Sequence, residues 1–370
     1  MTMRIALLGP ANSIHLQRWA YALVERGHAV CVLSQHACER HLLPTAAHVF
    51  MLPRSGALGY FTNAWRAREL LMRWRPDVVN AHYASGYGTT AALCGVRPVL
   101  LSVWGSDVYD FPYESAMKGR LIRGNLRRAT AIASTSHAMA RQVQRLVPAI
   151  TEIAVTPFGV DLARFRPDPS HRSSGLLTIG IVKSLAPKYG VDLLLRAFAG
   201  LVADAEVKTS LADALRLLIV GDGPQRAELE ALARELGIAA RTEFAGAVAH
   251  ADVPASLNRL DIYAAPSRLD SESFGVAVIE ASACALPVVV SDVGGLPEVV
   301  RDDETGLIVP RDDVPALQAA LKRLVLDDAL RERLGQRGRA HVEREYEWGH
   351  CVDLMERCLE RVVAQRGAGR

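Results

Sequence analysis

The strongest constraint on this chain is an alternation that runs twice. RIALLG (4–9) and AVCVLS (29–34) are short, β-rich apolar runs. They bracket HLQRWAYALVERG, whose apolar residues recur with helical spacing and stop at Gly27. Strand, helix, glycine stop, strand is a βαβ unit. DVVNAH (77–82), PVLLSVW (98–104) and TAIAST (130–135) continue the first series. A second series begins at LLTIGIV (176–182) and runs through LRLLIVG (215–221), RTEFAG (241–246), DIYAA (261–265) and LPVVVSD (286–292), each followed by a helical stretch. Such runs, apolar throughout rather than alternating, suit parallel strands covered on both faces. The expectation is α/β: two doubly wound, Rossmann-like domains facing an interdomain cleft, with ligands at the carboxyl ends of the strands. The polar, Pro-bearing stretch FGVDLARFRPDPSHRSSG (158–175) marks the junction. The expected parts are an N-terminal domain (1–166), a linker (167–175), a second domain (176–345) and a terminal helix (346–370).

Charge separates the halves. Residues 1–165 carry 18 Lys and Arg against nine Asp and Glu, whereas the remainder carries 25 against 31. The formal net charge of +3 conceals this division. No apolar run approaches the roughly 18 residues of a membrane span, and the N-terminal apolar stretch is too short for a secretory signal. The six cysteines form no CxxC pair, so neither a zinc site nor a compact disulfide framework is indicated. Free thiols in a reducing cytoplasm are the expectation.

Nicotinamide chemistry is disfavoured. The first βα turn, Gly9-Pro10-Ala11-Asn12-Ser13, lacks G-x-G-x-x-G, and the second strand ends in Ser34-Gln35 rather than an acid. No Walker A loop and no Asp-x-Asp pair occurs. The informative stretch is LDSESFGVAVIEASACALPVVVSDVGGLPEVV (269–300). Glu272 sits in a loop that opens a helix after Phe274 and Gly275, and Glu280 lies on that helix. Amides at Gly275 and Val276 then stand at the positive helix end, a seat for phosphate or a hydroxyl-rich ligand. Lys183 and Lys188, in IVKSLAPKYG, follow a strand and place two cations at the same sheet edge. Cations there stabilise the charge of a departing diphosphate. Together these groups read as recognition of a sugar nucleotide.

These motifs resemble those of the retaining glycosyltransferases with the GT-B fold, in family 4 (glycosyl transferases group 1). The resemblance spans nearly the whole chain. ESFGVAVIE, with its Glu-x7-Glu spacing, carries most of it, supported by PFGVDLARFRP (157–167), KSLAPKYGVDLLLRAF (183–198), LLIVGDGPQRAELEALA (217–233) and DDETGLIVP (302–310). It implies that Glu272 contacts the donor sugar, aided by amides after Phe274, and that Glu280 binds the ribose. Lys188 matches the lysine on the diphosphate. Lys183 stands where the family has arginine, so the contact stays cationic but loses the planar fork. Gly9 matches the first turn approaching the donor phosphate. Trp104 in SVWGSDV replaces a common histidine, while Asp107 remains a catalytic candidate beside Glu272, Lys183 and Lys188. The resemblance also implies metal independence, no cofactor beyond the nucleoside-diphosphate sugar (UDP-linked by family frequency), and front-face transfer with the leaving diphosphate as base.

Several groups carry two readings. Alone, Glu272 and Glu280 could be a helix-start acid and a solvated face. His15 and His82 could contact an acceptor or pack locally, and Trp104 could wall an acceptor pocket or fill core. The basic stretches GYFTNAWRARELLMRWRPD (59–77) and MKGRLIRGNLRRAT (117–130) are either solvated helix faces or attachment points for an anionic membrane or a lipid diphosphate. No nucleic-acid motif accompanies the charge. The expected activity is a hexosyl transfer to a saccharide or lipid-linked acceptor in polysaccharide or glycoconjugate synthesis, at a cytoplasmic site that includes the inner membrane face. A nucleotide-sugar 2-epimerase of similar fold and a non-catalytic sugar-nucleotide-binding partner are the rivals.

Overall fold

The computed structural model describes residues 2–211 and 213–368, so the last two residues of the expected terminal helix lie outside the described residues. The chain divides into two compact units, residues 1–158 with 349–370, and residues 159–348.

The first unit is built on a seven-stranded sheet in the order β3-β2-β1-β4-β5-β6-β7. Its strands are β1 (Arg4–Leu8), β2 (Ala29–Ser34), β3 (His48–Met51), β4 (Val78–His82), β5 (Val99–Ser102), β6 (Ala131–Ser134) and β7 (Ala154–Val155). Every pairing is parallel. Ile5 to Leu8 are fully buried, as a central strand covered on both faces requires. The Ile14–Glu25 helix returns the chain from β1 to β2, burying Leu16, Trp19, Ala20 and Leu23 at helical spacing. Strand order reverses between β1 and β4, so the loops after these strands diverge and leave a crevice.

The second unit repeats the plan with six parallel strands in the order β10-β9-β8-β11-β12-β13. They are β8 (Leu177–Val182), β9 (Leu215–Val220), β10 (Thr242–Gly246), β11 (Ile262–Ala265), β12 (Val288–Ser291) and β13 (Leu307–Val309). Here the order reverses between β8 and β11, the strands that precede Lys183 and Glu272.

Three strands, β3, β7 and β13, fall outside the ten runs read from sequence. All are short, and all lie at a sheet edge. An edge strand need not be apolar on both faces, and β3 (HVFM) is exposed or half-buried throughout. The junction stretch is anchored by apolar residues spaced along it: Phe158, Val160 and Phe165 are buried. Val160 bridges to Glu347, with its amide donating to the Tyr346 carbonyl at 2.8 Å.

The terminal Trp348–Ala368 helix joins the first unit from Gly349 onward. Arg26, at the end of the first helix, meets Asp353 at 2.6 Å, and buried His28 meets Glu356 at 3.0 Å. Apolar burial of Val352, Met355, Leu359 and Val362 at helical spacing accompanies these polar contacts.

Candidate active site

In the second unit Lys183 directly follows β8, and its amide donates to the Val220 carbonyl at 2.9 Å. The turn after β9 lies against it. Gly221 has a φ of 138°, and a Cβ there would sit 1.8 Å from the Lys183 carbonyl oxygen. The glycines of GDGPQ thus allow two loops to touch.

Lys188 sits in the short Pro187–Tyr189 turn, which ends at Gly190 in the left-handed region. Tyr189 stands between the two cations. The Lys183 Nζ lies 4.7 Å from its ring centroid and the Lys188 Nζ 4.8 Å. An aromatic face steadies both ammonium groups without neutralising them. The Lys188 carbonyl accepts from the Arg268 amide at 2.8 Å. The Arg268 guanidinium forks onto Asp192 at 2.7 and 2.8 Å, bracing the turn.

Glu272 is 9% exposed in the loop after β11. The loop is held from across the sheet by Gly294 and Gly295. The Gly294 amide donates to Asp270 Oδ1, and the Gly295 amide donates to the Glu272 carbonyl, both at 3.1 Å. Side chains at either glycine would strike the backbone of 272–273 at 2.2–2.3 Å. That contact is the physical content of the DVGGLPE motif.

The Glu272 carboxylate meets the Lys183 ammonium at 3.0 Å. Desolvation works against the Lys183 charge, but Glu272, Tyr189 and Tyr263 together outweigh it and the lysine is held well above its ordinary value. The Val276–Ala283 helix begins at Gly275, whose φ is 95° and which offers no capping side chain. Its opening amides therefore have no side-chain oxygen from the N-cap residue. Phe274 is buried and packs edge-on against Tyr346, with centroids 5.5 Å apart. Glu280 is buried one turn into the helix, its Oε1 3.4 Å from His250 Nε2. Tyr263, fully buried on β11, is held un-ionised by burial against the opposing pull of Lys183, and its hydroxyl also feels Glu272 and Glu280. Two cations, two carboxylates and an uncapped helix end thus gather at one strand edge. That set can neutralise a diphosphate and accept hydrogen bonds from vicinal hydroxyls.

In the first unit Gly9 ends β1. A Cβ there would lie 2.7 Å from Leu16 and 3.3 Å from His82, so the residue must be glycine for the turn to pack. His15 stacks on Phe158 at 4.0 Å and meets Trp104 edge-on at 5.6 Å. Trp104 also contacts His82 at 5.1 Å and Tyr83 at 4.7 Å. His82 is fully buried in this cluster, and both of its ring nitrogens lack a hydrogen-bond partner among the described residues. Burial and neighbouring His15 lower its pKa to about 3, so it is neutral. Asp107 was expected beside the reacting groups. Instead it is 1% exposed and uses its oxygens on backbone amides, from Ala84 at 2.7 Å, Gly105 at 2.8 Å and Trp104 at 3.1 Å. Its geometry is that of a clamp joining the loops after β4 and β5, and burial raises its pKa against those bonds.

Sequence reasoning missed Tyr189, Tyr263, Arg268 and His250. Tyr189 had a signal, since it adjoins Lys188 in PKYG; the other three reach the site only through sheet order and loop packing.

Comparison with known proteins decides the family. The description "Glycosyl transferases group 1" matches residues 167–341, and "Glycosyl transferase 4-like" matches residues 4–136. The chain is 30% identical over 273 residues to a GDP-mannose-dependent alpha-(1-6)-phosphatidylinositol monomannoside mannosyltransferase of Mycobacterium tuberculosis, covering 70% of this chain and 68% of the relative. This chain belongs to the group 1 glycosyltransferases. The glycosyltransferase has the GT-B fold. A sucrose-phosphate synthase from Thermosynechococcus elongatus superposes with a TM-score of 0.82 over 98% of this chain and 100% of that one, at 20% identity. An Anabaena protein solved with UDP-glucose gives 0.78 over 97% and 100%, at 19% identity. The fold therefore outlasts most of the sequence.

Proposed function

We propose that the glycosyltransferase moves a hexose, with retention, from a nucleoside-diphosphate sugar to a saccharide or lipid-linked acceptor in polysaccharide or glycoconjugate synthesis. The Lys183–Glu272 pair at 3.0 Å carries this reading. It joins a diphosphate-binding cation to a sugar-binding carboxylate at the mouth of an uncapped helix. In the transfer, the bond from the anomeric carbon to the diphosphate oxygen breaks as the bond to the acceptor oxygen forms on the same face. The acceptor proton passes to the departing phosphate oxygen. Lys183 and Lys188 stabilise the charge that develops there, the task a divalent metal performs elsewhere. Glu280 holds the ribose. The expectation of a UDP sugar has no residue behind it. The mycobacterial relative is named for GDP-mannose and the Anabaena structure contains UDP-glucose, so both bases belong in the test.

A thermal-shift panel of UDP- and GDP-hexoses should single out one donor by a concentration-dependent rise in melting temperature. With that donor and an accepted saccharide, the product should keep the donor's anomeric configuration by NMR, and EDTA should leave the rate within about twofold, since the cations already present supply the charge stabilisation. An inverted product or loss of activity in EDTA would refute this mechanism.

The proposal includes attachment to an anionic membrane surface. The Gly56–Thr62 and Ala64–Trp74 helices expose Leu58 and Trp65 by 77% and 79%, with Phe61 and Met72 also exposed. Arg66 and Arg73 stand among them, also exposed. Apolar side chains amid cations suit the interface of an anionic bilayer. Among the described residues no helix is long and apolar enough to cross a membrane. Liposomes containing phosphatidylglycerol should retain the protein at low salt, and a Leu58→Glu, Trp65→Glu variant should lose at least about tenfold in binding. Equal retention of the variant would remove this part of the proposal.

A further inference from the structure

The first unit contains a pocket of about 490 Å³ that the sequence reading did not assign. It is lined by the loops after β1 (Pro10, Asn12, Ser13), β2 (His36), β4 (Tyr83–Tyr87) and β5 (Ser106–Glu114), together with Tyr60. These loops flank the point where strand order reverses, so the sheet itself opens this crevice. Its wall is built rather than incidental. The Tyr87 hydroxyl, almost fully buried, meets His36 Nδ1 at 2.7 Å, Ser34 Oγ at 3.0 Å and the Gln35 amide at 3.0 Å. Tyr60 packs edge-on against Tyr87, with centroids 5.2 Å apart. A Cβ at Gly86 would lie 2.5 Å from the Tyr60 ring, so that glycine gives the ring its place.

The charge of the lining is one-sided. Among its residues are Asp107, Asp110 and Glu114, and none is Lys or Arg. Glu114 pairs with Lys118 outside the lining, and Asp107 is tied to backbone amides. Asp110 is exposed and forms no side-chain ion pair among the described residues. Burial lowers the pKa of His36, so the imidazole supplies no compensating charge at neutral pH. This contrasts with the basic excess of the first 165 residues, none of whose Lys or Arg lines the pocket.

We infer that this pocket receives the uncharged terminal sugar ring of the acceptor, and that Asp110 and Tyr60 select it. The inference rests on the transferase reading above: the donor groups Lys183, Lys188, Glu272 and Glu280 all belong to the second unit, and the first unit is taken as the acceptor side. A carboxylate accepts hydrogen bonds from adjacent ring hydroxyls, and a tyrosine face covers the C–H side of a pyranose. The same carboxylate repels a phosphate, which would enter without a partner cation. The phosphate of a lipid-linked acceptor therefore lies beyond the pocket, and at least one neutral sugar separates it from the acceptor hydroxyl.

The test needs no donor. The full chain is titrated with methyl α-D-mannoside, methyl α-D-glucoside and the corresponding 6-phosphates, read by saturation-transfer NMR. At least one neutral glycoside should bind, and its phosphate should bind at least about tenfold more weakly. Asp110→Asn and Tyr60→Leu, checked for folding by circular dichroism, should each weaken the neutral glycoside by about fivefold or more, and Asp110→Asn should narrow the discrimination against phosphate. A phosphate that binds as tightly as its glycoside overturns the inference, as does binding unchanged in both variants or no binding of either glycoside. Failure of the transferase reading shows separately, as the absence of any melting-temperature rise with UDP- or GDP-sugars, whose predicted contacts are Lys183, Lys188, Glu272 and Glu280.

Discussion

Replacing Lys183 by alanine should lower kcat/KM for the donor by about 10²–10³, the cost of losing one preorganised group that stabilises developing charge. Two effects act together. The departing diphosphate loses a cation, and Glu272, 9% exposed, loses the partner that fixes its carboxylate. Glu272→Gln should give a loss of similar size, because the amide cannot hold the lysine in place. Combining the two changes should cost less than their product, with a coupling of about 1–3 kcal/mol for groups in direct contact. Lys183→Arg should retain more activity than alanine, since it restores the cation. Steady-state kinetics on variants with native circular dichroism decide the matter, and activity of Lys183→Ala within threefold of wild type would sink the assignment. The pH dependence has a definite sign. Lys183 is held above its ordinary value, so its ammonium stays charged up to about pH 10, where a free lysine begins to titrate, and on the alkaline side the pair weakens only as the pH rises through the raised value. No alkaline limb from Lys183 should appear in the rate profile below about pH 10.

Acid should destabilise the first unit through His82. Its pKa falls from 6.5 to about 3 on folding, chiefly because burial disfavours the imidazolium and secondarily because His15 lies nearby. Between these values the unfolded chain binds a proton that the folded chain refuses, so stability falls with the pH. The slope from this one group approaches about 1.4 kcal/mol per unit well below pH 6.5. Above pH 6.5 its effect vanishes. Urea unfolding at pH 7.5, 5.5 and 4.5 should show the decline, and His82→Leu should remove about 2.7 kcal/mol of the difference between the first and last of these. His341, also lowered by burial, contributes in the second unit with the same sign, so the measurement that counts is the change in slope between wild type and variant. Parallel slopes would mean that His82 is protonated in the folded state.

Most of the architecture was legible because parallel strands buried on both faces leave continuous apolar runs. Ten strands announced themselves in this way. β3, β7 and β13 did not, because strands of two to four residues are too short to show a run. The residues of the proposed donor site were legible for a different reason. Glu272, Gly275 and Glu280 occupy one stretch of sequence, and Lys183 and Lys188 another, so local spacing alone shows a loop, a helix start and a strand end. Tyr263, His250 and Arg268 were not legible, because each acts on a residue distant in sequence. Asp107 shows the limit in reverse. A lone acid in a loop looks available for chemistry, and only the three amides that converge on it reveal a clamp.

The division at the end is between what neighbours along the chain decide and what neighbours across a sheet decide. Sequence by itself determined two parallel α/β units, the glycine-dependent turns, and the cations and carboxylates of the proposed sugar-nucleotide site. Those features depend on periodicity and short spacing, which a linear reading contains. Tertiary structure decided that Lys183 and Glu272, 89 residues apart, form one ion pair, because β8 and β11 are adjacent in the sheet although not in the chain. It also decided that a basic half of the sequence encloses an acidic pocket. Net charge sums over residues, whereas a ligand meets only the few side chains that folding turns toward it.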